Sequence, residues 1–250
     1  MRIAVCLKRV PDMEQRFKVL PDGSGVDPAG LKYDMSDFDG YAVEVALQLV
    51  EKAGAGEVTV ISLGPDGVPE TLRKALGMGA GRAVHLQAAE VPADGRAVAA
   101  ALAADLADGG YDLILFGRMA TDTGAGVVGP MVAHRLGLPC VTAVSKLDLA
   151  DGRGTARREL EGASETVTFP LPAVLTIDEG IARARLPSLK GIMAAKKKPL
   201  DVRPAALGEA RLTVAKTELP AERVGGRILG EGPDVVPELV RLLQTEAKVL

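Results

Sequence analysis

Short apolar runs alternate with amphipathic stretches through the first half of the chain. Arg2 to Leu7 reads as a buried strand, followed by a polar loop carrying Lys8, Arg9, Pro11 and Asp12. Phe17 to Leu20 and a segment after Gly25 flank PDGSG, which is hairpin chemistry. From Ser36, Phe38, Tyr41, Ala42, Val45, Ala46 and Leu49 recur at helical spacing, with Ser36 and Asp39 placed as a capping box. Val58 to Leu63 predicts a second core strand. Pro69 opens a helix whose Leu72, Ala75 and Leu76 face inward, and Ala83 to Leu86 is a third strand. Asp94 caps a helix burying Val98, Ala101, Leu102 and Leu106. Leu113 to Phe116 is the fourth strand, and the helix after it buries Val128, Met131 and Val132 and stops at Gly137.

Strands alternating with amphipathic helices predict an α/β fold: an open, mostly parallel sheet with helices on both faces. Right-handed crossovers then bring the loops after Leu7, Leu63 and Phe116 to one rim. The pattern changes near Val141. Short alternating segments up to Pro172 predict antiparallel strands added at an edge, and Ala173 to Ile177 is one more apolar strand. Between Ile181 and Leu200 the chain carries Arg183, Arg185, Lys190, Lys196, Lys197 and Lys198, and no acid. The last fifty residues contain one helical pattern, Val235 to Leu243, and no compact core of their own. The expected division is therefore a core over residues 1–200, including a basic loop at 183–198, and a C-terminal arm over 201–250 that packs on another surface.

The stretch of greatest chemical interest is Leu113 to Gly129, LILFGRMATDTGAGVVG, which is strand, loop, helix. Ligands of open parallel sheets sit beyond the carboxyl ends of strands, where helix N-termini present free amides. Gly124 and Gly126 permit a close backbone approach, and the helix dipole favours a phosphate there. An ordinary βα turn is the plain alternative, since neither GxGxxG nor a Walker lysine is present. Asp122 is placed either to accept from ribose hydroxyls or to cap the next helix. Arg118 is either a phosphate partner or a surface charge. In the basic loop, Leu186, Leu189, Ile192 and Met193 are either an apolar anchor inside a cationic ring or a buried helix face. Lys196 to Lys198 also reads as a solvated charge run.

Composition narrows the classes. The 250 residues carry a net charge of −3, so bulk electrostatics do not point to nucleic acid. Aromatics are 3 % and Trp is absent, which removes platforms for stacking single-stranded bases. Cys6 and Cys140 form neither a disulfide framework nor a metal cluster, and both fall in apolar runs as small core residues. His85 and His134 have no partner at metal-ligand spacing. No apolar run approaches the roughly 20 residues of a membrane span. The opening residues have no signal-peptide layout, so a cytoplasmic location is expected. No nucleophile elbow, HExxH or CxxC occurs, and Glu159 and Glu161 read as a solvated strand face. No acid/base catalytic constellation is expected.

Five motifs in fixed order resemble the beta subunit of electron transfer flavoprotein: VCLKRVPD, ETLRKALGMGAGRAVHL, GRMATDTGAGVVGP, ARRELEGASETVTFPLPAVLTI and LPSLKGIMAAKKK. The resemblance covers nearly the whole chain. Ala163, Met13 and the run Thr123 to Val127 depart from the usual family pattern. The resemblance implies an adenine-nucleotide-hydrolase-like, Rossmann-like core and a heterodimer with an alpha subunit that holds most of the FAD. Electrons would come from acyl-CoA or related dehydrogenases and pass to a quinone oxidoreductase.

The resemblance also implies AMP as a structural ligand of this chain. Its contacts would fall on Cys6, on Ser36, Asp37, Phe38 and Asp39, and on Leu63. They would continue through Gly117, Arg118, Met119, Ala120, Thr121 and Asp122, and then Thr123, Gly124, Ala125, Gly126, Val127 and Val128. Leu189, with Ile192 and Met193, would dock the dehydrogenase. Two alternatives differ in ligand or in class: an electron-bifurcating member with a second FAD in the AMP site, and a stand-alone adenine-nucleotide sensor. An adenylating enzyme ranks last, because KRVPD stands where its phosphate loop would follow the first strand.

Overall fold

A computed structural model describes residues 1–222 and 225–250. Arg223 and Val224, inside the expected arm, lie outside the described residues. In chain order the elements are β1 (Arg2–Cys6), β2 (Arg9–Pro11), β3 (Tyr33–Met35), α1 (Asp37–Ala53), β4 (Glu57–Gly64), α2 (Val68–Met78), β5 (Arg82–Gln87), α3 (Gly95–Leu106), β6 (Leu113–Gly117) and α4 (Val128–Leu136). They continue as β7 (Cys140–Ala150), β8 (Arg153–Leu160), β9 (Ala163–Pro170), β10 (Ala173–Ile177), α5 (Leu189–Ala195), β11 (Leu200–Pro204) and α6 (Val236–Leu242).

Nine strands form one sheet in the order β11-β5-β4-β1-β6-β10-β7-β8-β9. The pairs from β11 to β7 are parallel, and β8 and β9 add antiparallel strands at the edge, as the pattern change near Val141 predicts. Alternate residues of the central strands feed two cores. Ile3, Val5, Val60 and Leu115 pack under α1 and α2; Ala4, Ile61, Ile114 and Phe116 pack under α3 and α4. Burial on both faces is why these strands read as unbroken apolar runs. The chain winds outward from β1 to β4 and β5, then restarts at β6 on the other side of β1. The order reverses between β1 and β6, and ligands of such sheets sit at that point.

Several expectations are corrected. The PDGSG hairpin reduces to a single Val19–Val26 bridge, with the turn held by Asp22 accepting from the Ser24 N–H and hydroxyl. A two-stranded ribbon without a core beneath it has little to stabilise it. β2 and β3 instead pair as a small antiparallel sheet. β11 pairs with β5, so the sheet runs past the expected boundary at residue 200. Met131 is more than a third exposed, because Val132 and Ala133 face the sheet instead. Cys140 is exposed at the start of β7, whereas Cys6 is buried. On α1, Val43 and Leu47 are buried beyond the predicted stripe, because Ile181, Ala182 and Ala184 pack over the same core.

Candidate functional site

Cys6, Leu63 and Gly117 lie at the carboxyl ends of β1, β4 and β6, which are neighbours in the sheet. The loops that follow form one rim. The first turn of α1 reaches into the gap between the first loop and the loop after β6. Ser36 stands at the cap position but makes no side-chain cap bond, so the capping box is not formed. Its Oγ instead donates to the Met119 carbonyl and accepts from the Thr121 N–H, both at 3.3 Å. Asp39, buried, accepts the Lys8 N–H at 2.7 Å and the Gly117 N–H at 3.0 Å. A Cβ on Gly117 would stand 2.5 Å from Asp39 Oδ1 and 2.7 Å from Asp39 N, so only glycine lets α1 come this close. Burial pushes the Asp39 carboxyl up to about 7, against the opposing pull of its two backbone donors and Lys8. The Cys6 thiol is held up by burial and by Asp39, which keeps it neutral.

Two of the cations nominated by the sequence are already paired, and Arg9 lies over the Tyr33 ring. Lys8 Nζ meets Asp122 at 2.7 Å across the gap, and Arg118 meets Asp178 at 3.1 Å. Asp122 does not cap α4, whose cap position is Val127 with no side-chain bond. What remains free is backbone. The Gly124 and Thr123 amides bond back to the Ala120 carbonyl, while those of Ala125, Gly126 and Val127 have no hydrogen-bond partner among the described residues. Gly124 and Gly126 adopt φ of +62° and +64°, which a side chain would strain. Uncapped amides on exposed backbone at a helix N-terminus suit an anionic group. The donor set therefore fits a phosphate-bearing ligand, with backbone rather than side chains as donor. His85, expected to be structural, is buried in β5 and its Nε2 bonds the Gly64 carbonyl at 2.8 Å, which steadies the turn after Leu63. The cavity of about 190 Å³ lined by Arg2, Arg82, Tyr111 and Arg203 lies beside the amino ends of β1 and β5, away from this rim.

The basic loop is a second, separate surface. Leu186 and Leu189 are 87 % and 84 % exposed, and Ile192 and Met193 are also exposed, so the buried-face account of them does not hold. Two of the six cations anchor the loop, while Arg183, Lys190, Lys196 and Lys197 stay exposed. Arg185 bonds Glu44 and Glu51 on α1. Burial would raise the Glu44 carboxyl, but the Arg185 bonds outweigh it and hold it low. Lys198 is not part of a solvated run: its Nζ donates to the Leu76 and Ala80 carbonyls at the end of α2. Arg73 of α2 donates in return to the Ala195 and Lys198 carbonyls. Ser188 caps α5 by accepting the Gly191 N–H. A Cβ on Gly191 would meet the Gly77 carbonyl at 2.3 Å, so the two helices touch through glycine. Sequence reasoning missed Asp178, Glu44 and Arg73 as the partners that fix both surfaces. Only their distance along the chain from Arg118, Arg185 and Lys198 hid them.

A doubly wound α/β protein with an amide-lined loop at its switch point is the class that the fold and rim define. The model of the electron transfer flavoprotein domain matches residues 25–207. The chain is 40 % identical over 254 residues to the electron transfer flavoprotein subunit beta of Bradyrhizobium diazoefficiens, covering 100 % of both chains. It is 35 % identical over 263 residues to that of Bacillus subtilis, again covering 100 % of both. It is 36 % identical over 246 residues to that of Homo sapiens, covering 96 % of each. The chain belongs to the electron transfer flavoprotein beta-subunit family, and its role is that of an electron transfer flavoprotein. No helix among the described residues is long and apolar enough to cross a membrane.

Proposed function

We propose that this chain is the beta subunit of a heterodimeric carrier. It pairs with an alpha subunit that holds most of the FAD, takes electrons from acyl-CoA or related dehydrogenases and passes them to a quinone oxidoreductase. FAD supplies the electron acceptance and release, and this chain supplies one wall of its site, a structural nucleotide and a docking surface. AMP is the nucleotide. The observation that carries this reading is the rim at the β1/β6 switch point, where the exposed amides of Ala125, Gly126 and Val127 are open to a phosphate. Cys6, Leu63 and the first turn of α1 form the surroundings. No acid/base group is required of this chain, since its task is to hold and position.

The apolar side chains of Leu189, Ile192 and Met193 meet the dehydrogenase, on a helix whose base is bonded to α2. The first test is to co-express the chain with its alpha partner, purify the complex, denature it and identify the released nucleotides by chromatography. One FAD and one AMP per heterodimer are expected. Two FAD and no AMP would make this the bifurcating branch, with the second flavin in the rim. No flavin and no complex would overturn the carrier reading in favour of a stand-alone nucleotide sensor. In the intact heterodimer, Leu189→Ala is expected to keep flavin content and slow reduction by the dehydrogenase; unchanged transfer kinetics would remove the docking role.

A further inference from the structure

The resemblance places Asp39 among the residues that touch the nucleotide, and the geometry assigns it other work. Its Oδ2 accepts the Lys8 N–H and its Oδ1 accepts the Gly117 N–H. Lys8 begins the loop after β1, and Gly117 ends β6. These are the two walls of the switch-point gap. Nothing in the sheet itself bonds the two loops beyond the last β1/β6 pair, Cys6 with Phe116. Glycine at 117 is what permits this approach. The titratable groups around the carboxylate are the neutral Cys6 thiol on β1, Lys8 on the first loop and Asp122 on the nucleotide loop. The last two are paired with each other.

Resting on the reading of this rim as a nucleotide site, we propose that Asp39 is a positioning residue: it sets the spacing of the two loops through their backbone amides and does not touch the ligand. Both carboxylate oxygens face protein donors and the side chain is buried, so it is turned away from a ligand on the open rim. A buried acceptor that holds two amides cannot be replaced by an amide side chain without turning an N–H toward one of them. Asn keeps one bond and Ala keeps none.

The test uses the full chain in its purified assembly at pH 8, with AMP as the probe. AMP affinity is expected to fall about tenfold in Asp39→Asn and further in Asp39→Ala, the scale of one lost charge-assisted hydrogen bond per step. The Lys8 and Gly117 amide protons, followed by NMR without nucleotide, are expected downfield and slow to exchange in the native chain. One or both are expected to lose those properties in Asp39→Asn. Equal AMP affinity in all three proteins would overturn the proposal, and so would unchanged resonances in the Asn variant. Should the variants not fold, a fast-exchanging Gly117 amide in the native chain would overturn it alone. Absence of AMP binding by the native chain would defeat the nucleotide reading instead, and the two amides, measured without ligand, would still decide the role of Asp39.

Discussion

The rim at the switch point and the basic loop solve opposite problems with the same device. In each, some of the charged side chains that a reader of the sequence would offer to a ligand are taken up by the scaffold. On the rim, Lys8 and Arg118 are paired to Asp122 and Asp178. On the loop, Arg185 and Lys198 tie the segment to α1 and α2. What stays free is glycine-rich backbone on the rim, and on the loop leucine, isoleucine and methionine side chains beside the exposed Arg183, Lys190, Lys196 and Lys197. The difference lies in what is held. The rim fixes backbone and leaves amides unpaired, whereas the loop fixes a helix so that apolar tips project.

The sharpest way to break this contrast is Gly117→Ala. The added methyl meets Asp39 in both its backbone and carboxylate, with no flexible neighbour to give way. A loss of about 2–3 kcal/mol in stability is expected from denaturant midpoints, the cost of overpacking a buried site. Next in size is Arg185→Ala, which strands the buried Glu44. About 2 kcal/mol is expected, below the cost for a fully buried pair because the guanidinium is a third exposed. In that variant Glu44 also titrates at higher pH, which carboxyl NMR would read.

Asp39 gives a differently shaped effect. Its carboxyl sits at about 7 in the folded chain against 3.8 for the ordinary group. Between those values the folded chain keeps a proton that the unfolded chain has released. Its contribution to stability is therefore full in acid and is lost as pH rises from about 4 through 7. Urea midpoints across that window are expected to lose this component in Asp39→Asn. The smallest effect is Leu189→Ala, whose exposed side chain predicts a change within about 0.5 kcal/mol. A large loss of stability there would show that the tip belongs to the fold rather than to a partner.

The doubly wound core was legible because its strands are buried on both faces and its helices each show one face to the sheet. The loop at Gly117 to Val128 was legible for its glycines. Asp39 was readable as a helix-start residue but not as the holder of two loops, since its partners lie 31 and 78 positions away. Lys8 and Asp122 are 114 positions apart and look like two independent charges. β11 left little trace because an edge strand buries only part of itself, and Asp201, Arg203 and Pro204 interrupt its apolar signal. The cap expected at Ser36 failed for a related reason. A hydroxyl with a neighbouring loop in reach has more than its own helix to choose from.

β11 has one more consequence. The segment between Ile177 and Leu200 leaves the sheet from β10 and returns five strand positions away, beyond β6, β1, β4 and β5. At about 4.8 Å per strand that is a sideways traverse of roughly 24 Å, besides the strand length it must run back to enter β11 in the parallel sense. The 22 residues available, 178–199, would reach about 70 Å if drawn straight. The traverse carries far more chain than it needs, and α5 is where the slack is stowed. Lengthening or trimming that slack alters how far the tip reaches while the strands at both ends keep their register. The reach of this bridge and the architecture that carries it are thus separate variables, open to change one at a time.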